Sequence, residues 1–158
     1  MLIMISISGI MSGVFTSQNK NKASDKITQN GSWILNELKK NVINADKNGE
    51  NGDKFICSAD DGSNSITITN TKDGNKTTIS CLDDKIASIS GTAIGTTVYL
   101  FQNKDDLKLG DCSNFVSCST LPSLQLSNVK FNFNLEAGVD GLSSKTTKNF
   151  SIDVTLRN

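Results

Sequence analysis

The sequence predicts an α+β protein in which a long N-terminal helix packs on an antiparallel β-sheet head. The chain begins with a nearly apolar, uncharged run from Met1 to Phe15. An apolar stripe with the period of a helix then continues to about Ala45, and from Lys54 onward apolar residues alternate with polar ones, as in half-buried strands. These changes divide the chain into an apolar segment, an amphipathic helix and a β-rich head, residues 1–16, 17–45 and 46–158.

The first run has three interpretations. A secretory signal would begin with positive charge and end at a small-residue cleavage site, and neither is present around Met1 to Phe15. A buried element of a soluble domain is the second. The third, which we favour, is a membrane span whose beginning is missing from this chain, because Leu2 to Phe15 is shorter than the roughly 20 apolar residues that a complete span needs. We therefore expect the first half of the helix to be membrane-embedded.

The next stretch predicts an amphipathic helix that ends near Ala45. Its apolar stripe consists of Ala23, Ile27, Ile34, Leu38, Val42 and Ala45. Asn30-Gly31-Ser32 is a weak point at which the helix can kink or break, since Asn-Gly favours turns and Ser32 can cap a second helix. An unbroken helix from Met1 to Ala45 would be about 65 Å long.

The head is predicted to be built from hairpins that follow a turn-rich linker, Asp46 to Asp53. Alternation around Ile66 and Ile68, a turn at residues 72–75 and renewed alternation to Cys81 predict one hairpin. Val129 to Leu135 and Phe150 to Leu156 predict a second, antiparallel pair whose Phe-rich faces point toward the helix, joined by a loop at 136–149. Further strands are expected at residues 85–90 and 96–102, and the second of these shows no clean alternation, as in a strand buried on both faces.

Composition excludes several classes of function. Lys plus Arg and Asp plus Glu balance at 16 each, so no basic footprint for nucleic acid is present. The chain has no histidine, which removes Ser-His-Asp, Cys-His and H-E-x-x-H chemistry. Ser17 and Lys20 match an S-x-x-K spacing without its partner motifs. The linker does not fit the EF-hand pattern. We predict no catalytic site, no metal site and no cofactor, and hence no enzyme.

The four cysteines, Cys57, Cys81, Cys112 and Cys118, are predicted to form disulfides, as in proteins that leave the cytoplasm. Zinc is the competing use, but close C-x-x-C pairs are absent from the sequence. Three connectivities are open. The most local one joins Cys57 to Cys81 and Cys112 to Cys118.

The order of these features resembles type IV pilins and pseudopilins, specifically their minor, J-like members with a prepilin-type N-terminus. The resemblance covers the apolar segment Leu2 to Phe15, the amphipathic stretch Ile34 to Asn44, the cysteine-bearing β head and the final strand Phe150 to Asn158. The family's short basic leader and its Glu at position five are not in the sequence, where Ile5 stands instead. Either the chain begins inside the family's conserved segment or the protein has lost processing, and we favour the first.

The resemblance implies a structural subunit of a type IV pilus or a type II secretion pseudopilus-like filament, made as a precursor in the cytoplasmic membrane and later periplasmic or extracellular. Its implied partners are other pilin or pseudopilin subunits, the prepilin peptidase and the inner-membrane assembly machinery. The residues implied in membrane insertion and assembly are Leu2, Ile3, Ile5, Ile7, Gly9, Ile10, Met11, Gly13, Val14 and Phe15. The small residues among them would allow close helix approach.

A function of another class stays open. The same anchor and head would suit a membrane-tethered or secreted β-rich module that binds glycans or surfaces. Tyr99 and Trp33 are the large aromatic residues with polar tips that such a module would use.

Overall fold

A computed structural model describes eight ranges of the chain, residues 2–46, 55–56, 64–69, 76–91, 96–104, 106–121, 126–138 and 145–157. It contains one helix, α1 (Leu2–Asp46), followed by β-strands in these ranges. The strands are β1 (Phe55–Ile56), β2 (Ser65–Thr69), β3 (Lys76–Leu82), β4 (Lys85–Gly91), β5 (Thr96–Gln102), β6 (Leu107–Leu109), β7 (Val116–Leu121), β8 (Leu126–Ala137) and β9 (Thr146–Arg157). The predicted α+β arrangement of one N-terminal helix on antiparallel sheet is confirmed.

The helix is continuous through the predicted weak point. α1 has 45 residues, which at about 1.5 Å per residue gives a rod of about 68 Å. Gly31 is buried at the centre of the sheet-facing side rather than at a break. Within the described residues no helical stretch combines the length and the hydropathy needed to cross a membrane.

The strands form two antiparallel sheets. The first has the order β1-β2-β3-β4-β5, so each strand pairs with its neighbour in the chain. In the second, β9 pairs with β8 along its whole length, whereas β6 pairs with residues 135–137 of β8 and β7 with residues 126–131. Because β9 occupies one edge of β8, β6 and β7 lie end to end along the other edge.

Both predicted hairpins are present. In the first, Ile66 lies opposite Ile79, and the turn predicted at residues 72–75 lies outside the described part of the chain. In the second, Phe133 lies opposite Phe150, and the connection is shorter than predicted because β8 continues to Ala137 and β9 begins at Thr146. The linker at residues 47–53 also lies outside the described ranges.

One core joins the helix to both sheets. α1 contacts β9 and β8 most extensively and also touches β2 and β5. The fully buried members include Ile27, Ile34, Leu38, Ile66, Ile79, Phe115, Phe131 and Leu135. The prediction that the Phe-rich faces of β8 and β9 point toward the helix is confirmed. For β5 the expectation of burial on both faces is wrong, because Val98 and Tyr99 are exposed and burial begins only at Leu100.

Candidate functional site

The first half of the helix projects from the head as an N-terminal arm, which we define as residues 2–22 of α1. Every described side chain of the arm, from residue 13 to residue 22, is exposed. Packing against the sheets begins with the half-buried Ala23 and is complete at Ile27. The head therefore leaves residues 13–22 of the helix uncovered.

Large apolar side chains of the arm are in solvent. Val14 is 49% exposed and Phe15 is 60% exposed. A side chain built at Gly13 would find nothing within 4 Å. Adjacent apolar side chains on an uncovered helix are typical of a surface that binds another protein or a membrane.

The other predicted assembly residues belong to the same helix, but their side chains lie outside the described part of the structure. These residues are Leu2, Ile3, Ile5, Ile7, Gly9, Ile10 and Met11. Helix geometry still places their positions. At about 100° per residue, positions 3, 7, 10 and 14 lie away from the side on which Ile27, Ile34 and Leu38 contact the sheets, whereas positions 2 and 5 lie on that side. The apolar positions of the arm are therefore distributed around the helix rather than confined to one side.

Cys81 and Cys112 form a disulfide, with 5.6 Å between their Cα atoms. It joins the end of β3 in the first sheet to the loop that follows β6 in the second sheet. Cys118 is also disulfide-bonded, and Cys57 lies outside the described residues. The most local connectivity is therefore not formed, because the fold places Cys81 beside a loop that is distant in sequence.

The outer face of the second sheet carries a second candidate site. A depression of about 390 Å³ is lined by polar side chains, and we call it the polar groove. Its polar lining consists of Asp111, Ser113, Asn132, Asn134, Asn149 and Ser151. Asn132 lies opposite Ser151 and Asn134 opposite Asn149, so adjacent pairs on β8 and β9 present amide and hydroxyl groups on one face.

The loop that forms one wall of the groove is held in place at several points. The Asp111 carboxylate accepts hydrogen bonds from the Ser113 backbone N–H, at 2.9 Å, and from the Ser113 hydroxyl. These bonds hold the pKa of Asp111 below its usual range. Asn114 follows with a φ of 59°, and Phe115 is completely buried. Together with the disulfide at Cys112, these features fix the wall before any ligand arrives.

Asn134 occupies an unusual position in the groove. Its backbone carbonyl accepts a hydrogen bond of 3.0 Å from the Gly110 N–H, and its side chain lies against Gly110. A Cβ at position 110 would be only 1.7 Å from Asn134 Oδ1, so any larger residue there would require the Asn134 side chain to move. Asn134 Oδ1 is buried and has no hydrogen-bond partner among the described residues.

The aromatic residues proposed for a binding module lie on separate surfaces. Tyr99 is 54% exposed on the outer face of the first sheet, beside a depression of about 260 Å³, and the Lys85 ammonium lies 5.6 Å from the centre of its ring. Trp33 is 50% exposed on α1. The structure does not bring these two residues together, and neither lines the polar groove.

Among the described residues, no three His, Cys, Asp or Glu side chains come together as metal ligands would. The groove instead offers neutral hydrogen-bonding groups and one carboxylate that Ser113 already engages. Hydrogen bonding to a polar, uncharged partner is the chemistry that this arrangement supports best. The chain matches no protein-family model, no curated protein and no solved structure.

The apolar run at the start of the sequence predicts the exposed arm, whereas the groove is not among the sites predicted from the sequence. The alternation from Lys130 to Asn134 placed its asparagines on a solvent face without marking them as a site. Asp111 and Asn149 are far apart in sequence and both line the groove because β8 pairs with β6, which precedes Asp111, and with β9, which carries Asn149. The asparagines at alternate positions of one strand are the sequence feature from which the groove could have been predicted.

Proposed function

We propose that the chain is a structural subunit that assembles into a filament through its N-terminal helix, as the resemblance to type IV pilins and pseudopilins implies. The observation that carries the proposal is the exposure of Val14 and Phe15 on an arm that the head does not cover. In this proposal the arms of neighbouring subunits pack together and the heads face outward.

The positions of Val14 and Phe15 support this arrangement. Because both lie about 100° or more from the side of α1 that contacts the head, an arm can contact other arms through them without displacing its own head. Burial of a Val or Phe side chain from water contributes about 1.5–3 kcal/mol, so both residues would favour association of the arms. Glycine and serine at positions 8, 9, 12 and 13 would allow the helices to approach closely.

The membrane step belongs to the same proposal. The precursor would lie in the cytoplasmic membrane, interact with the prepilin peptidase and the assembly machinery, and exchange lipid for neighbouring helices on assembly. A helix over Leu2 to Phe15 is about 21 Å long, compared with about 30 Å of bilayer hydrocarbon. Filament assembly through the arm does not depend on a complete span within this segment.

The test is the association of the full chain after it is purified in mild detergent and the detergent is removed. Sedimentation velocity and negative-stain electron microscopy should show large, elongated assemblies. Val14→Asp and Phe15→Asp should each weaken association at least about tenfold, because each places a charge in a desolvated helix interface. Asn36→Asp adds the same charge at an exposed position of α1 outside the arm and should leave assembly unchanged.

Two results would contradict the proposal. One is a chain that remains monomeric at every concentration, and the other is assembly of Val14→Asp and Phe15→Asp that equals that of the unmodified chain. Far-UV circular dichroism of each variant would establish that α1 is retained.

The second candidate, a tethered or secreted binding module, is favoured by one observation, the polar groove. Such a module would use the head and would not need the arms to associate. Sedimentation therefore distinguishes the two candidates, because the filament subunit alone requires the arms to associate.

A further inference from the structure

The polar groove combines a suitable size with a fixed shape. Its volume of about 390 Å³ lies within the range of about 300–1,000 Å³ that is typical of small-molecule sites. Its floor is the paired region of β8 and β9. The Phe133 and Phe150 rings lie behind this floor and stack on each other, with 5.3 Å between their centroids. Its wall is the loop held by the Cys81–Cys112 disulfide and by the Asp111–Ser113 hydrogen bonds. A ligand that binds here therefore loses little free energy to the ordering of the groove's loop and side chains.

The side chains of the groove select a class of ligand. Each asparagine amide carries two N–H donors and a carbonyl acceptor, and each serine hydroxyl both donates and accepts. A saccharide presents closely spaced hydroxyls that also do both. Asn149 and Ser151 are exposed and Asn132 is half-buried, so their polar groups are accessible to a ligand.

The charges of the groove lining disfavour ionic ligands. The Asp111 carboxylate disfavours anions, and among the described residues that line the groove there is neither lysine nor arginine. Calcium usually takes six to eight oxygen ligands, often from more than one carboxylate, whereas both carboxylate oxygens of Asp111 already accept bonds from Ser113.

We propose that the polar groove is a binding site for an uncharged saccharide, with Asn132, Asn149 and Ser151 as its principal hydrogen-bonding residues. The site lies on the head, away from the arm. A subunit can therefore carry it in a filament, and its existence does not depend on assembly.

The experiment uses the ¹⁵N-labelled full chain and follows the side-chain amide signals of Asn132, Asn134 and Asn149 by NMR. Maltose, cellobiose and N,N′-diacetylchitobiose are titrated separately into the tens of millimolar. At least one of them should shift these signals in a saturable way. Asn132→Ala and Asn149→Ala should each weaken binding about two- to tenfold, the effect of losing one neutral hydrogen bond.

Asn128→Ala is the matched control. Asn128 lies on the same strand and the same face as Asn132 but does not line the groove, and its amide oxygen accepts a hydrogen bond from Thr155. This variant should bind with unchanged affinity. Thermal unfolding of all three variants would separate loss of binding from loss of the fold.

The absence of a saturable shift with all three saccharides would overturn the proposal, as would equal effects of the groove variants and the control. A calcium chloride titration tests the competing assignment. Saturation of the same signals by calcium alone, strengthened in Asn149→Asp, would make the groove a cation site and would also overturn the proposal. A negative result here leaves filament assembly untouched, because assembly is measured by sedimentation.

Discussion

The Phe150 ring lies directly against the backbone of Gly31, at the point where α1 crosses β9. A Cβ at position 31 would be 2.1 Å from Phe150 Cζ and 2.2 Å from Cε1. The helix can approach the sheet this closely because glycine has no side chain. The same ring stacks on Phe133, so the contact continues from the helix through β9 to β8.

Gly31→Ala should destabilise the protein although alanine is the better helix former. Overpacking against Phe150 costs about 1–3 kcal/mol, and the gain in helix propensity, about 1 kcal/mol, offsets only part of it. We expect a lower midpoint in urea unfolding with an unchanged slope. Gly13→Ala is the control, because nothing lies within 4 Å of a Cβ at position 13, and it should not destabilise the head.

A double variant tests whether the ring is the cause. Phe150→Leu should cost stability alone, but in the Gly31→Ala background it should relieve the clash, so the two effects should not add. Additive effects, or a Gly31→Ala protein as stable as the original, would contradict the packing explanation.

Sequence pattern predicts those parts of this fold in which one face of an element is buried. The alternation of Val129, Phe131 and Phe133 predicts β8 because successive side chains of a strand point to opposite faces. The predicted weak point at Gly31 shows the limit of this reasoning. Asn-Gly favours turns locally, but packing against Phe150 favours a continuous helix, and tertiary contacts override local propensity.

The remaining elements and the groove depend on contacts between residues that are distant in sequence, and such contacts cannot be predicted from a local pattern of apolar and polar residues. β6 has three residues, Leu107–Leu109, too few to show a period, and it exists as a strand through its pairing with β8. The arm is readable from sequence because its apolar residues are consecutive. The groove is not, since Asp111, Asn132 and Asn149 come from three segments brought together by strand pairing and by a disulfide.

Removal of the Cys81–Cys112 disulfide should lower the free energy of unfolding by about 3–4 kcal/mol. The bond joins cysteines 31 residues apart, and the loss of a crosslink of this span increases the entropy of the unfolded chain accordingly. The double variant Cys81→Ala with Cys112→Ala, measured by urea unfolding, tests this. Reduction of the unmodified protein should shift its midpoint in the same direction.

Peptide mapping should confirm the connectivity. Chymotrypsin cleaves after Phe115 and so separates Cys112 from Cys118. We expect one crosslinked pair of peptides that contains Cys81 and Cys112, and a second that joins Cys118 to Cys57, the remaining cysteine of the sequence. A crosslink between Cys112 and Cys118 would contradict the structure.

Asp84→Gly should stabilise the protein by about 0.5–1 kcal/mol. Asp83 and Asp84 form the two-residue turn between β3 and β4, with φ angles of 48° and 63°. Turns with positive φ at both central positions strongly favour glycine at the second, and the relief of that strain outweighs the entropy that glycine adds to the unfolded chain. Thermal unfolding should show a higher Tm for Asp84→Gly and a lower one for Asp84→Val, whose β-branched side chain fits positive φ poorly.

The contribution of the Lys26–Asp106 ion pair should disappear at acid pH. The Lys26 ammonium, hydrogen-bonded to the carboxylate, holds the pKa of Asp106 below its usual range. Because the folded-state pKa is lower than the unfolded one, near 3.9, the pair stabilises the fold above about pH 4, and this stabilisation is lost as the pH falls from there toward the folded-state pKa. Lys26→Met should therefore have a lower Tm than the unmodified chain at pH 7, and the difference should shrink as the pH falls below about 4. Lys22→Met, at an exposed position one turn earlier in α1, should show no such pH-dependent difference.

An NMR titration measures the pKa of Asp106 directly. This pKa should rise in Lys26→Met, because the Lys26 ammonium is the main group that stabilises the charged carboxylate. An unchanged pKa would mean that the ion pair does not persist in solution.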